Sequence, residues 1–213
     1  MGNTPSVTCV SLEGNVGCGK SSTLGVLKRK GYTVVPEPIE KWGTTLDLFY
    51  SNPQKYCYVF QTRVLAELIT IREKILKADK RHKGNVIFFE RSQMGAKVFL
   101  EVAVDNGNMH SAEHETYLRL EAMMLQARPA VASANVHVLI DTPPAQCCER
   151  IVQRERQAEQ DGPLMSTASQ RRAYIQQIHD KHEAVFEAAD VIRVDGMLQP
   201  ENVAEAVLIA LHL

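Results

Sequence analysis

The sequence predicts a three-layer α/β/α fold built on a five-stranded parallel sheet. Short apolar, β-rich stretches alternate with longer stretches of helical period along the 213 residues. That alternation is typical of a parallel sheet with helices on both faces. The β-rich stretches lack the regular in-out alternation of a sheet with one wet face, so we expect both faces to be covered. No repeat or linker-like stretch divides the chain, which predicts one domain over residues 1–213.

The strands are expected where the apolar stretches are shortest and richest in β-branched residues. These places are Val7–Leu12, Tyr32–Val35, Asn85–Phe89, Val136–Ile140 and Val191–Val194.

The helices are expected between the strands and after the last one. Gly31 ends the first, because glycine is favoured just after a helix. Asn106-Gly107-Asn108 predicts a turn between the third and fourth. The expected helices are Lys20–Lys30, Pro53–Lys80, Met94–Asp105, Ser111–Arg128, Pro144–Gln160, Gln170–Ala189 and Pro200–Leu211.

Composition narrows the class of protein. Lys and Arg number 24 against 25 Asp and Glu, a formal net charge of −1, which disfavours a nucleic-acid partner. Five cysteines without a CxxC pair favour a reducing compartment. No apolar run of about 18 residues and no signal peptide is found, so we expect a cytoplasmic protein without a membrane partner. Gly2 with Ser6 fits the loose N-myristoylation pattern, which stays an open alternative.

A phosphate-binding loop follows the first strand and precedes the first helix. Its residues are Gly14, Asn15, Val16, Gly17, Cys18, Gly19, Lys20 and Ser21, with Ser22 next to them. They match G-x-x-x-x-G-K-[ST], in which glycines let backbone N–H groups and a helix N-terminus surround an anion. Lys20 is expected on the β and γ phosphates and Ser21 on Mg²⁺. The loop predicts ATP binding and leaves the acceptor unspecified.

Charged residues follow two other predicted strands. Glu37 comes after the second strand and Glu90-Arg91 after the third. Because the carboxyl ends of parallel strands converge on one crevice, these side chains are expected to face the phosphate loop. A carboxylate there could take a proton from an attacking hydroxyl, and an Arg could hold the oxygen and the transferred phosphoryl group.

An arginine-rich lid is expected at about residues 150–170. Arg150, Arg154 and Arg156 lie on one amphipathic stretch. Alone, such a run is more often a solvated helix face. Beside a phosphate loop, it favours a mobile lid that neutralises charge in the transition state.

Several motifs together resemble the deoxynucleoside kinase family over almost the whole chain. The motifs are Glu13-Gly14-Asn15, Pro36-Glu37-Pro38 with Trp42, Tyr50 before Phe60-Gln61-Thr62, Glu90-Arg91-Ser92, Gly107-Asn108-Met109, Arg150-Ile151 with Arg154, Arg156 and Glu159, and His179 with His182-Glu183. The resemblance implies a P-loop kinase fold and transfer of phosphate from ATP, with Mg²⁺, to a deoxynucleoside. It also implies a homodimer through the helices near residues 94–128.

The resemblance also assigns roles. Glu37 resembles the general base, Arg91 its partner at the sugar 5′-oxygen, and Glu90 a holder of Mg²⁺. Gln61 resembles the amide that reads the base edge, and Tyr50 with Glu159 the pair that holds the 3′-hydroxyl. The remaining residues expected around the nucleoside are Ile39, Trp42, Phe60, Leu68, Ala96 and Phe99.

Two departures from the family concern the substrate. Members that prefer deoxycytidine or purines have an Arg after the Gln and an Asp after Glu-Arg-Ser, where Leu68 and Ala96 stand here. An implied deletion makes Gly95 an alternative to Ala96. Either residue leaves apolar room for a 5-methyl group, as in thymidine-accepting and broad-specificity members. We therefore expect a thymidine kinase that tolerates other pyrimidine deoxynucleosides, with a nucleoside monophosphate kinase or an inert kinase-like subunit as rivals.

Overall fold

Five parallel strands form the central sheet. The computed structural model describes residues 7–78, 82–132, 135–154, 162–187 and 190–213. The strand order is β2-β3-β1-β4-β5, and each neighbouring pair is parallel. The strands are β1 (Thr8–Glu13), β2 (Thr33–Val35), β3 (Val86–Glu90), β4 (Asn135–Asp141) and β5 (Val191–Asp195). The predicted five-stranded parallel sheet is confirmed.

Helices cover both faces of this sheet. They are α1 (Lys20–Arg29), α2 (Ile39–Ser51), α3 (Pro53–Lys77), α4 (Gln93–Asp105), α5 (Ser111–Gln126), α6 (Pro129–Ala132), α7 (Pro144–Gln153), α8 (Ala168–Glu187) and α9 (Pro200–Ala210). A 3₁₀ turn over Lys83–Asn85 precedes β3. The three-layer prediction is confirmed, and most helix ends lie within two residues of expectation. The helix predicted to reach Gln160 is seen only as α7, because residues 155–161 lie outside the described part.

Helix α2 was not predicted from the sequence. Pro36 and Pro38 precede it, and Gly43 interrupts it with a non-helical φ of +40°. Such residues usually break helices. Its residues Trp42, Leu46 and Phe49 nevertheless follow a helical period, and this was the signal that could have revealed it. Helix α3 begins cleanly after it, because the Asn52 side chain accepts a hydrogen bond from the Lys55 N–H at 3.1 Å.

The sheet is buried on both faces. All five residues of β3 are buried, and five of the six in β1. One face carries the larger core. The other carries a small cluster of Cys9, Val35, Ile87 and Phe89, against which α3 packs. Burial on both sides explains why these strands lack the alternation of a half-exposed sheet.

The register of the sheet positions the functional residues. Leu12 of β1 pairs with Glu90 of β3, and Glu13 pairs with Leu139 of β4. Val35, near the end of β2, pairs with Phe89. The carboxyl ends of β1, β2 and β3 therefore lie side by side, so the segments that follow them open at one edge. Within the described residues, no helix is long and apolar enough to cross a membrane.

The core makes a prediction about stability. Ile69 of α3 is fully buried, whereas Ile209 of α9 is 67% exposed. We expect Ile69→Ala to lower the free energy of unfolding by about 2–5 kcal/mol, because it removes buried methyl groups and leaves a cavity. The same substitution at Ile209 should change it by about 0.5 kcal/mol or less. Urea unfolding monitored by circular dichroism measures both, and equal losses would contradict this packing.

Candidate active site

A cavity of about 590 Å³ opens at the carboxyl edge of the sheet. Its volume lies in the usual range for small-molecule sites. The phosphate loop and the start of α1 line one end, and residues of α2, α3 and α4 line the other. The predicted crevice is therefore present, and most of the predicted residues lie on its wall.

The phosphate loop wraps closely around the N-terminus of α1. Gly17 has a φ of +81°, and a side chain there would lie 2.6 Å from the Cys147 carbonyl oxygen, so only glycine fits. Asn15 ties the loop to α8, since its amide donates to the Ile175 carbonyl at 2.8 Å. Lys20 is 5% exposed, and its Nζ donates to the carbonyls of Gly14 and Asn15 at 3.1 and 2.9 Å. The ammonium group is thus held over the loop.

Ser21 and Glu90 bring two oxygen donors together beside this loop. The Ser21 hydroxyl donates to Glu90 Oε1 at 2.6 Å, and Glu90 Oε2 accepts from the Glu37 N–H at 3.4 Å. No group of three or more His, Cys, Asp or Glu side chains able to hold a metal occurs in the described part of the chain. One hydroxyl and one carboxylate fit Mg²⁺, which usually takes few protein ligands and completes its shell with phosphates and water.

Glu37 and Arg91 form a largely buried ion pair on the wall of the cavity. The Arg91 Nε donates to Glu37 Oε1 at 2.6 Å, and the Arg91 Nη2 donates to the Gly14 carbonyl at 3.3 Å. Burial alone would lower the pKa of Arg91, but the carboxylates of Glu37 and Glu13 outweigh it and raise that pKa above its ordinary value. The predicted partners therefore meet, and the guanidinium stays charged.

Arg91 has an unusual backbone conformation. Its φ is +68°, in the left-handed region that residues other than glycine rarely adopt. Such a conformation costs about 1–3 kcal/mol and persists only where the surroundings impose it. The turn comes directly after β3, and it directs the side chain from the sheet edge toward Glu37 and the phosphate loop.

Aromatic rings and one amide line the end of the cavity away from the phosphate loop. The ring centroids of Phe49 and Phe60 are stacked 4.8 Å apart, and Trp42 meets Phe60 edge-on at 5.7 Å. Gln61, 3% exposed, lies on this wall. The predicted residues on the wall are Ile39, Trp42, Tyr50, Phe60, Gln61, Ala96 and Phe99, and the unpredicted ones include Leu46, Phe49, Val64 and Tyr174. Leu46 and Phe49 were missed with helix α2, while Val64 and Tyr174 carry no motif.

Leu68 requires a correction. It was expected beside the base, but it is not on the wall of the large cavity. It lines a cavity of about 10 Å³ with Val35, Ile71 and Phe89. Leu68 is seven residues after Gln61 and shares its helix face, but it lies about 10 Å further along α3, where the helix meets Val35 and Phe89 of the sheet. The choice between Gly95 and Ala96 is also resolved, since Ala96 lines the large cavity.

The described part of the segment predicted to form a lid supplies two arginines. Arg150 donates from Nη1 to the Cys18 carbonyl at 3.1 Å and from Nη2 to the Gly196 carbonyl at 2.9 Å. Arg154 lines the cavity. Arg156 and Glu159 lie outside the described residues. The segment 196–200 between β5 and α9 also lines the cavity, although no sequence motif indicated it.

Comparison with known proteins identifies the family. The family model described as deoxynucleoside kinase matches residues 10–208. The chain belongs to the deoxynucleoside kinase family. It is 30% identical to the thymidine kinase of Ictalurid herpesvirus 1, over 95% of this chain and 84% of that protein. It is 29% identical to the putative deoxynucleoside kinase of Frog virus 3, over 82% and 80%, and 27% identical to human deoxycytidine kinase, over 82% and 74%.

A solved structure has the same fold. The deoxyadenosine kinase from M. mycoides with bound dCTP superposes with a TM-score of 0.76 at 21% identity. The match covers 96% of this chain and 99% of the other. This likeness confirms the predicted P-loop kinase fold. The predicted membership of the family is confirmed by the family model.

A buried histidine lies behind the cavity wall. His182 of α8 is 2% exposed, stacks on Phe186 with centroids 6.0 Å apart, and meets Phe99 edge-on. Its Nδ1 donates to the Ile178 carbonyl at 2.8 Å. Burial, reinforced by the positive charge of Arg91, lowers the pKa of His182 to about 3. The folded protein therefore holds this ring neutral at physiological pH.

This histidine predicts a pH dependence of stability. On unfolding, the pKa of His182 returns to about 6.5, so the unfolded chain binds a proton that the folded chain does not bind. The contribution of the neutral His182 ring to the free energy of unfolding is fully present above pH 6.5 and is lost as the pH falls toward 3. Between pH 6 and 5 the free energy of unfolding should fall by about 1 kcal/mol more in the wild type than in His182→Phe. Equal slopes would contradict the prediction, and exposed His212→Gln serves as the control.

Proposed function

We propose that the protein transfers the γ-phosphoryl group of ATP to the 5′-hydroxyl of a pyrimidine deoxynucleoside, with thymidine preferred. One observation carries the proposal. The Glu37–Arg91 pair lies between the phosphate loop and the aromatic wall of a single cavity. An acceptor hydroxyl held there would lie between a base and a phosphate site.

The phosphate end of the cavity supplies positive charge and donors. Lys20, the N-terminus of α1 and Arg150 converge on it, and Arg154 lines it. These groups would hold the triphosphate and stabilise charge on the transferred group. Ser21 and Glu90 would hold Mg²⁺, which supplies charge neutralisation between phosphates when bound.

Glu37 would remove the proton from the 5′-hydroxyl. Its Oε1 is fixed by the Arg91 Nε, which leaves Oε2 to accept the proton from the substrate. Arg91 orients the carboxylate and places a positive charge where the attacking oxygen develops negative charge. This arrangement matches an alcohol acceptor, and it disfavours a nucleoside monophosphate kinase, whose acceptor brings its own negative charge.

The base end supports thymidine. Gln61 offers one donor and one acceptor, which suits the N3 and carbonyl edge of a pyrimidine. The same cavity is lined by Ala96, Val64 and aromatic rings, and its charged described residues lie at the phosphate end or in the Glu37–Arg91 pair. Small apolar neighbours leave room for a 5-methyl group and give no charged partner to an exocyclic amine.

We also propose a cytoplasmic homodimer. Helices α4 and α5, which the family resemblance implicates in the contact, pack against each other. Helix α5 carries Leu118 at 37% and Met123 at 65% exposure, so it presents apolar surface that a second copy would cover.

The substrate proposal predicts the outcome of a nucleoside panel. With ATP and Mg²⁺, purified protein should phosphorylate thymidine with a kcat/KM at least tenfold above that for deoxyadenosine or deoxyguanosine, and above that for deoxycytidine. Thymidine monophosphate should be a poor acceptor. A clear preference for deoxycytidine or a purine nucleoside would refute the thymidine assignment, and turnover of the monophosphate alone would refute the nucleoside acceptor.

The proposed base predicts a second result. Glu37→Gln keeps the shape and one hydrogen bond to Arg91 but removes the proton acceptor, so kcat should fall by roughly 10²–10⁴-fold. Exposed Glu40→Gln on α2 is the matched control and should retain full turnover. Steady-state kinetics with thymidine measures both. A near-normal rate for Glu37→Gln would exclude Glu37 as the base.

A further inference from the structure

Glu13 is a buried carboxylate that the proposed reaction does not use. It is the last residue of β1, directly before the phosphate loop, and it is fully buried. A buried charge is costly unless it is paired. Its position between the sheet and the loop therefore calls for a partner of opposite charge.

Glu13 lies against Arg91 under the first turn of α4. A side chain added at Gly95 would collide with Glu13 Oε2 and would lie 2.9 Å from Arg91 Cγ. Both Glu13 Oε2 and Arg91 Nη1 are buried, and neither has a hydrogen-bond partner among the described residues. The two side chains are thus neighbours that both approach position 95, and the absence of a side chain on Gly95 makes room for them.

Glu13 also fixes the backbone on the far side of Arg91. The Arg91 N–H donates to the Leu12 carbonyl at 3.0 Å, and the next N–H, that of Ser92, donates to Glu13 Oε1 at 2.9 Å. Two consecutive residues of β1 therefore hold the two peptide groups that flank Arg91. This is the constraint that its left-handed conformation requires.

The carboxylate is ionised in this place. Burial opposes ionisation, but the hydrogen bond with His137, the charge of Arg91 and the hydrogen bond from Ser92 hold the pKa of Glu13 below its ordinary value. His137 Nδ1 is 3.4 Å from Glu13 Oε1. The N-terminus of α4, where the Ser92 side chain accepts from the Gly95 N–H at 3.3 Å, adds a favourable dipole.

We propose that Glu13 is a positioning residue that holds Arg91 in its left-handed turn and so sets the geometry of the Glu37–Arg91 pair. The inference rests on the proposed kinase reaction but not on the identity of the nucleoside. Glu13 acts on the substrate only through Arg91. If Glu13 had only a structural role, its substitution would lower stability, and the effect on the rate would be the same with or without Arg91.

A double-mutant cycle tests this dependence. With the best nucleoside substrate, Glu13→Gln should lower kcat at least tenfold and leave the KM for ATP within threefold of wild type. In the Arg91→Ala background, the same substitution should change the single-turnover rate by less than threefold. Equal factors in both backgrounds, or an unchanged kcat in the single variant, would overturn the proposal.

Two further variants keep the proposal testable if Glu13→Gln does not fold. His137→Gln alters the other neighbour of Glu13, and it should retain kcat within threefold. Gly95→Ala keeps both charged residues and favours the helix, but its methyl group displaces Glu13 from Arg91, so kcat should fall at least tenfold with the helical content retained. Full activity of folded Gly95→Ala would contradict the proposal even if Glu13→Gln does not fold.

A structural readout separates this inference from the proposed function. If the wild-type protein phosphorylates no nucleoside, the proposed function fails. The crystal structure of Glu13→Ala, which removes the acceptor of the Ser92 N–H, then decides the present inference. A φ at Arg91 that leaves the positive region supports it, and an unchanged φ refutes it.

Discussion

The site depends on a single buried guanidinium. Arg91 is 5% exposed and touches three elements: Glu37 after β2, the Gly14 carbonyl in the phosphate loop and Phe99 of α4, whose ring centroid is 4.4 Å from the guanidinium carbon. Desolvating that charge is costly, so the fold surrounds it with carboxylates. The parallel sheet makes this possible, since β1, β2 and β3 end side by side and each delivers its acidic residue to the same edge.

In the proposed function, the same arrangement would link recognition of the base to the chemistry. Phe99 lines the nucleoside end of the cavity, and its ring contacts both Arg91 and His182. Interiors packed this closely transmit small displacements. A base that shifts Phe99 would therefore move the guanidinium that orients Glu37. Poor fit at the base would then lower the rate of transfer as well as affinity, which is how a small pocket can discriminate among similar substrates.

Much of the fold and the chemistry could be predicted from the sequence because they rest on local patterns. The glycines of the phosphate loop, the apolar strands and the acidic residues that follow them each carry a signal within a few residues. Helix α2 was not predicted because Gly43 and two prolines obscure its helical period. Leu68 was misplaced because it shares the helix face of Gln61, and the sequence does not reveal how far along that face the pocket extends. Glu13 belongs to a recognised motif, yet its contacts with Arg91 depend on how β1 and α4 meet, and no linear pattern encodes that.

Identity at the level of the whole chain does not select the substrate, so the proposed preference for thymidine rests on the distribution of charge in the cavity. The thymidine kinase and the human deoxycytidine kinase are 30% and 27% identical to this chain, a difference too small to favour either nucleoside. Among the described residues on the wall, Lys20, Glu90, Arg150 and Arg154 lie at the phosphate end, and the Glu37–Arg91 pair lies between the two ends. Gln61 shares the rest of the wall with rings, Val64 and Ala96. An ionised group near Gln61 would lose its hydration whenever a nucleoside binds. Only a base with a complementary polar group would offset that loss. In the proposed function, a neutral wall at Gln61 would remove this penalty, and shape and the Gln61 amide would decide which base is accepted.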